Sequence, residues 1–336
     1  MHFRLLRAIF ILSLLVCSCA HADLKFSQSR DTPLQNAILK NSLTDVLTLL
    51  RSGADPSARN SANLNALHVA TTYCETSVLI VRAVIETAPS LLDAPDPNGQ
   101  TPLLLAARSA CLDQINYLLS VHADVKARSL IGNTVLHSLY LNDYWVDPTL
   151  LKILGTARAD FHAVNQQGKL PLHLAASKLQ EPDTVSELIR SGESPEAEDL
   201  TGKTALFYVM SQVAAEELIA AGGKVQHADH EGSTPLHVIA VRYGEANTPE
   251  IMQAFIASGA DVNARNHRAR TPLLELADSF PASHGNASLL IKKGADVNAR
   301  DADGLSPLDL ALARHNGLAE ILKQGGRHLL VKNCVK

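Results

Sequence analysis

Apolar positions along the chain come in short bursts of helical spacing, each introduced by the same polar turn. The clearest burst is Gly232-Ser233-Thr234-Pro235-Leu236-His237-Val238-Ile239-Ala240. Leu236, Ile239 and Ala240 share one face of a helix. Thr234 is suited to cap that helix, its hydroxyl accepting a backbone N–H that the first turn leaves unpaired. Pro235 then falls at the first helical position, where its missing N–H costs nothing, and Gly232 relaxes the turn before it. The pattern predicts a tight turn and a short helix that cannot bury its apolar face alone.

Variants of this phrase begin at Thr32, Asn65, Thr101, Thr134, Leu170, Thr204, Thr234, Thr271 and Ser306, with successive spacings of 33, 36, 33, 36, 34, 30, 37 and 35 residues. A second phrase recurs as Gly53-Ala54-Asp55, Ala123-Asp124-Val125, Gly259-Ala260-Asp261 and Gly294-Ala295-Asp296. The T-P-L-H-x-A core and the period resemble the ankyrin repeat. The resemblance covers roughly residues 30 to 325. It implies an all-α repeat solenoid: stacked helix-turn-helix units with short β-hairpin or turn tips, about nine repeats over 32–325 behaving as one quasi-linear domain.

Second helices carry the apolar residues expected to seal one repeat onto the next: Leu118 and Leu119, Ile189, Leu218, Phe255 and Ile256, Leu289 and Leu290, and Ile321 and Leu322. Many end in Gly, at 53, 192, 222, 259 and 294, which takes a left-handed closing conformation without strain. His122 and Arg158 stand at that place in the third and fourth repeats, and Ala88-Pro89-Ser90 ends the second. Repeats two to four therefore carry the weaker local signals, and the N-terminal half is expected to open first. Amide exchange protection that is uniform along the chain would contradict this. The terminal repeats read as polar caps, with Gln35 and Asn36 in the first and Asp309, Arg314, His315 and Lys323 in the last.

Composition adds little to the fold and more to the setting. Aromatics are scarce at 4%, and the net charge of −4 provides no field for nucleic acid or an anionic membrane. The first residues read as a leader. Arg4 and Arg7 precede the apolar run Ala8 to Cys17, and Ala20-His21-Ala22 is a small-x-small cleavage site. Cleavage after Ala22 would leave a lead-in of 23–31, a basic tail of 326–336, and a charge of −6 once Arg4 and Arg7 are gone. Val16-Cys17-Ser18-Cys19 loosely resembles a bacterial lipobox, so lipid anchoring at Cys19 is the alternative. The expected location is periplasmic or secreted, with no membrane insertion of the mature chain, and a bacterial source is expected from the leader alone.

Removing the leader leaves Cys74, Cys111 and Cys334, an odd number. Cys74 lies nine residues into its repeat phrase and Cys111 ten into its own. Stacked equivalents about 8–10 Å apart would lie outside the disulfide window of about 4.4–6.8 Å, but the one-residue offset narrows the gap. A Cys74–Cys111 disulfide and two independent thiols are both open readings.

The sequence carries no motif for an enzyme, a metal site or a cofactor. Gly202-Lys203-Thr204 mimics the end of a phosphate loop, but that motif needs Gly where Ala197 stands. His68, His137, His173 and His237 recur at the fourth place of the repeat phrase, and repetition at one structural place argues for structure. In ankyrin repeats this His bonds the adjoining turn. His227-Ala228-Asp229-His230 is the best remaining metal candidate and lacks a clear third ligand. Asn286-Ala287-Ser288 is a glycosylation sequon.

What remains is surface. The resemblance implies a non-enzymatic module that binds another protein through its turn tips and concave face, with an accessory factor or inhibitor of a periplasmic enzyme as the alternative; a monomer is expected. Two neighbouring tips differ in sign: Asp229 and Glu231 are acidic, whereas Arg265, His267, Arg268 and Arg270 are basic, with Arg300 one repeat on. A partner with an acidic patch would dock there. Tyr144 and Trp145 lie in a lengthened linker and are a second candidate contact, or else cover neighbouring helix ends.

Overall fold

A computed structural model describes residues 31–142, 146–178, 184–242 and 248–324. The leader, Cys19, Tyr144, Trp145 and the basic tail lie outside the described residues. The chain divides into two compact units between Leu130 and Ile131.

The first unit holds three helix pairs: α1 (Pro33–Leu39) with α2 (Leu43–Arg51), α3 (Ala66–Thr72) with α4 (Val78–Thr87), and α5 (Pro102–Arg108) with α6 (Leu112–Ser120). A 3-10 turn, Pro89–Leu91, closes the second repeat at the expected Pro stop. The second unit continues with α7 (Val135–Leu139), α8 (Pro148–Thr156), α9 (Pro171–Ala175) and α10 (Thr184–Arg190). In the sixth repeat a 3-10 turn, Ala205–Phe207, replaces the first helix and precedes α11 (Gln212–Ala220). Then come α12 (Pro235–Ala240), α13 (Thr248–Ala257), α14 (Pro272–Asp278), α15 (His284–Lys292) and α16 (Pro307–Arg314), followed by helical residues 319–324. No described residue is in a strand, so the tips take the turn form.

First helices pack on first helices, as α3 does on α5 and α14 on α12 and α16. They are buried along most of their length: every residue from Ala66 to Thr71 in α3 and from Pro102 to Ala107 in α5 is buried. Second helices keep a wet face. In α6 only Gln114, Ile115 and Leu118 are buried, and each such Leu contributes about 1.5–3 kcal/mol by leaving water. Of the apolar pairs expected to seal the repeats, Leu118, Phe255, Leu290 and Leu322 are buried, while Leu119, Ile256, Leu289 and Ile321 are only half-buried. In α10 it is Leu188, not Ile189, that is fully buried.

Second helices close as the glycines foretold. Gly53, Gly192 and Gly259 have φ of 89°, 104° and 92°, and His122 and Arg158 are held left-handed at 68° and 64°. The bond that needs this geometry is intact in both: Ala123 N–H reaches Leu118 O at 3.0 Å and Ala159 N–H reaches Leu154 O at 2.9 Å. A side chain there costs about 1–2 kcal/mol, partly offset because Gly loses more backbone entropy on folding. His122→Gly and Arg158→Gly should each add roughly 0.5–1 kcal/mol of stability. The check is a higher urea midpoint at unchanged slope.

Candidate interaction surface

Seven of the tips are each built on one Asp or Asn side-chain oxygen. Asp199 Oδ1 accepts the N–H groups of Thr201 (2.7 Å) and Lys203 (3.1 Å); Asp229 Oδ1 those of Glu231 (3.0 Å) and Ser233 (2.9 Å); Asn266 Oδ1 those of Arg268 (3.0 Å) and Arg270 (3.1 Å). Asn60, Asp96, Asn165 and Asp301 repeat the arrangement. Asp and Asn are needed because their short oxygen mimics a backbone acceptor two residues on.

Neighbouring tips are then tied by single backbone bonds. Within the second unit, Gln166 N–H donates to Ile131 O, Leu200 to Gln167, His230 to Thr201, His267 to Glu231 and Ala302 to Arg268, all at 2.9–3.0 Å. With the backbone satisfied this way, several tip side chains are left to solvent. Leu200 is 69% exposed, and His230, Glu231, His267 and Arg268 are exposed.

The tips approach each other closely. A Cβ on Gly232 would lie 2.7 Å from the His267 ring and 3.0 Å from its backbone nitrogen, besides standing at φ +74°. Ala269 occupies the equivalent place in the eighth tip at φ 54°. The neighbouring residue in the next tip is Ala302, which presents only a methyl group.

Behind the tips sits a row of braces. His237 Nδ1 accepts the Thr234 N–H at 3.1 Å, and its Nε2 bonds Arg270 O of the next repeat at 3.0 Å. His68, His137 and His173 do the same toward Ala94, Lys169 and Lys203. An Nδ1 that accepts requires the neutral ring with its proton on Nε2. Burial pushes His68, His173 and His237 below the usual imidazole value, which favours that form. Gln35, expected as a polar outer cap, is fully buried and plays the same part. Its Oε1 accepts Thr32 N–H at 3.0 Å and its Nε2 donates to Leu64 O at 2.8 Å. Where the brace residue is Leu104 or Phe207, the buried hydroxyl of Thr101 or Thr204 has no partner.

The residues singled out from sequence divide into two groups. Arg265, His267, Arg268 and Arg300 are exposed, as is Glu231. Arg268 meets Glu275 at 3.0 Å, Arg265 donates to the Arg300 carbonyl, and Arg300 Nη1 donates to Gly304 O at 2.6 Å. Arg270 and Asp229, by contrast, are buried at 8% and 7% exposure. Arg270 is a hub: its Nε meets Asp301 Oδ2 at 3.2 Å, and its Nη1 meets Asp278 Oδ2 at 2.9 Å and Glu275 Oε2 at 3.5 Å. Burial opposes its charge, but these carboxylates outweigh burial and hold the guanidinium above its usual value. Arg314 joins the network through Asp278 Oδ1 at 2.6 Å. The expected basic tip thus loses Arg270, whose fork is spent inside the protein, and the acidic tip loses Asp229, whose carboxylate builds its own turn.

Cys74 and Cys111 are bonded, with S–S 2.03 Å and Cα–Cα 5.1 Å. The separation is shorter than stacking alone gives because Cys74 lies in the turn after α3 while Cys111 is the N-cap residue of α6. The sequon residue Asn286 is 2% exposed and donates to Ala240 O and Arg242 O, both at 3.0 Å, so the folded chain does not offer it to a glycosyl donor. His227 Nε2 lies 2.9 Å from Gly202 O, inside the tip framework. Among the described residues no group of three His, Cys, Asp or Glu is placed to hold a metal ion, and no helix is long and apolar enough to cross a membrane.

Helix pairs, Asx-built tips and histidine braces together define a repeat protein of the ankyrin class. The family model described as ankyrin repeats (3 copies) matches residues 34–129, 172–266 and 210–301, and the chain belongs to the ankyrin-repeat family. Similar proteins include the human "Ankyrin and armadillo repeat-containing protein", 35% identical over 37% of this chain and 9% of the relative. The mouse "B-cell lymphoma 3 protein homolog" is 31% identical over 60% of this chain and 46% of the relative. The Arabidopsis thaliana "E3 ubiquitin-protein ligase KEG" is 26% identical over 80% of this chain and 17% of the relative. The chain spans less than half the length of each. Ankyrin repeats generally mediate protein–protein interaction.

Proposed function

We propose that this chain is an exported, non-enzymatic interaction module whose exposed tip side chains dock an acidic patch on a partner protein. The observation that carries this is the division of labour at the tips. The framework bonds are made by buried Asp, Asn and His, while Arg265, His267, Arg268 and Arg300 remain at the surface with only partial internal pairing. Export is supported by the leader-like sequence and by the Cys74–Cys111 bond, since disulfides persist in oxidising compartments.

The test is charge reversal that spares the buried hub. The full chain, crosslinked in its native exported fraction, should hold a discrete partner, and Arg265→Glu with Arg300→Glu should release it. The melting temperature should hardly move, because both side chains are exposed and donate to backbone carbonyls rather than to the hub carboxylates. Unchanged capture by the double variant refutes the basic tip as the docking site.

A further inference from the structure

The buried carboxyl group of Glu193 is not used by the tips, the braces or the ion network. Glu193 follows the left-handed Gly192 and closes α10, its N–H reaching Leu188 O at 3.2 Å. The residues making the same closing bond in other repeats are Ala54, Ala123, Ala159, Gly223, Ala260 and Ala295. Six repeats thus place a methyl group or a hydrogen where the fifth places a carboxyl. Glu193 is nevertheless 2% exposed. Its Oε2 accepts the Leu172 N–H at 3.0 Å, and its Oε1 is buried with no partner.

Leu172 lies on α9, which packs on the 205–207 turn of the sixth repeat, and the sixth repeat has the weakest local signals of those beside it. It has no Pro after Thr204, its first segment is a 3-10 turn, and the Thr204 hydroxyl is buried and unpartnered. The charged and titratable groups on the surrounding elements are His162 beside Gly192, Lys152 on α8, His173 on α9, the Glu187–Arg190 pair on α10, and Glu216 and Glu217 on α11. None of them bonds the Glu193 carboxyl. An ionised Glu193 would therefore sit in the interior with one backbone N–H as its only compensation, and exposure to water would relieve it.

We propose that Glu193 is a pH-operated hinge: loss of its proton loosens the contact between the fifth and sixth repeats. Burial pushes the carboxyl up to about 8, with the Leu172 N–H pulling weakly the other way. The closed junction is thus favoured below the ordinary carboxylate range and loses that advantage as pH rises toward 8, above which no more is lost.

The experiment is hydrogen exchange of the full chain between pH 5 and 9, corrected for intrinsic rates. Local opening of segments 171–175 and 205–207 should rise by about tenfold per pH unit until the carboxyl titrates, then level off. Segment 272–278 serves as the internal reference and should show no such slope. Glu193→Gln, a neutral isostere, should abolish the slope. Glu193→Ala, which restores the residue found in five other repeats, should abolish it and raise protection. A flat wild-type profile, or the same slope in Glu193→Gln, overturns the hinge.

Discussion

Replacing Arg270 by alanine is expected to cost the eighth and ninth repeats about 3–5 kcal/mol, the range for breaking a buried ion pair from one side. The loss concentrates on Asp301, whose side chain is 1% exposed and whose Oδ2 has its cation in Arg270. Asp278 keeps Arg314 at 2.6 Å, and Glu275 keeps Arg268 at 3.0 Å, so these two carboxylates suffer less. Arg270→Lys keeps a charge but cannot serve Nε and Nη1 contacts to separate carboxylates, and should fall between wild type and alanine. Urea unfolding followed by exchange in α14 and α16 reads this directly. A loss below about 1 kcal/mol, the size expected of an exposed pair, would mean that Arg270 is not the hub.

Opening the Cys74–Cys111 bond should have an effect of similar size in the first unit. The two residues are 37 apart in sequence, and loop-closure entropy for such a separation gives about 4 kcal/mol. The two single substitutions should differ. Second helices α2, α4, α11 and α15 are capped by Ser42, Ser77, Ser211 and Ser283, whereas Cys111 gives α6 no side-chain cap. Cys111→Ser therefore recovers a cap contributing about 1 kcal/mol, and Cys74→Ser should be the more damaging. Thermal unfolding of both variants beside reduced wild type checks the order. Equal losses would show that the hydroxyl introduced by Cys111→Ser makes no cap. No loss on reduction would show that the bridge does not restrain the unfolded chain.

The helix pairs were legible because their signals are local. A Thr-Pro start, a Gly finish and helical spacing each act within a few residues, and their nine-fold recurrence turns weak cues into a strong one. The histidine braces were legible for the same reason. Gln35 reads as an outer cap because two of its three partners, Ala58 and Leu64, lie 23 and 29 residues away. Arg270 read as a tip residue because it sits close to Arg268 in sequence. Its burial depends on Asp301, 31 residues on, and on Asp278, a helix away. Glu193 was the most informative miss, and the cue was present: the second phrase has Ala after Gly at 53–54, 259–260 and 294–295 but Glu at 192–193. A departure from a buried consensus place carries as much information as the variable tips.

The most direct measurement is site-specific photocrosslinking of the full chain in its native cells. A photoreactive residue would replace His267 on the exposed basic tip in one sample and Lys152 on the exposed face of α8 in another. Docking through the tips predicts one discrete crosslinked protein from position 267 and none from position 152. Capture from position 152 alone, or equal capture from both, would contradict it.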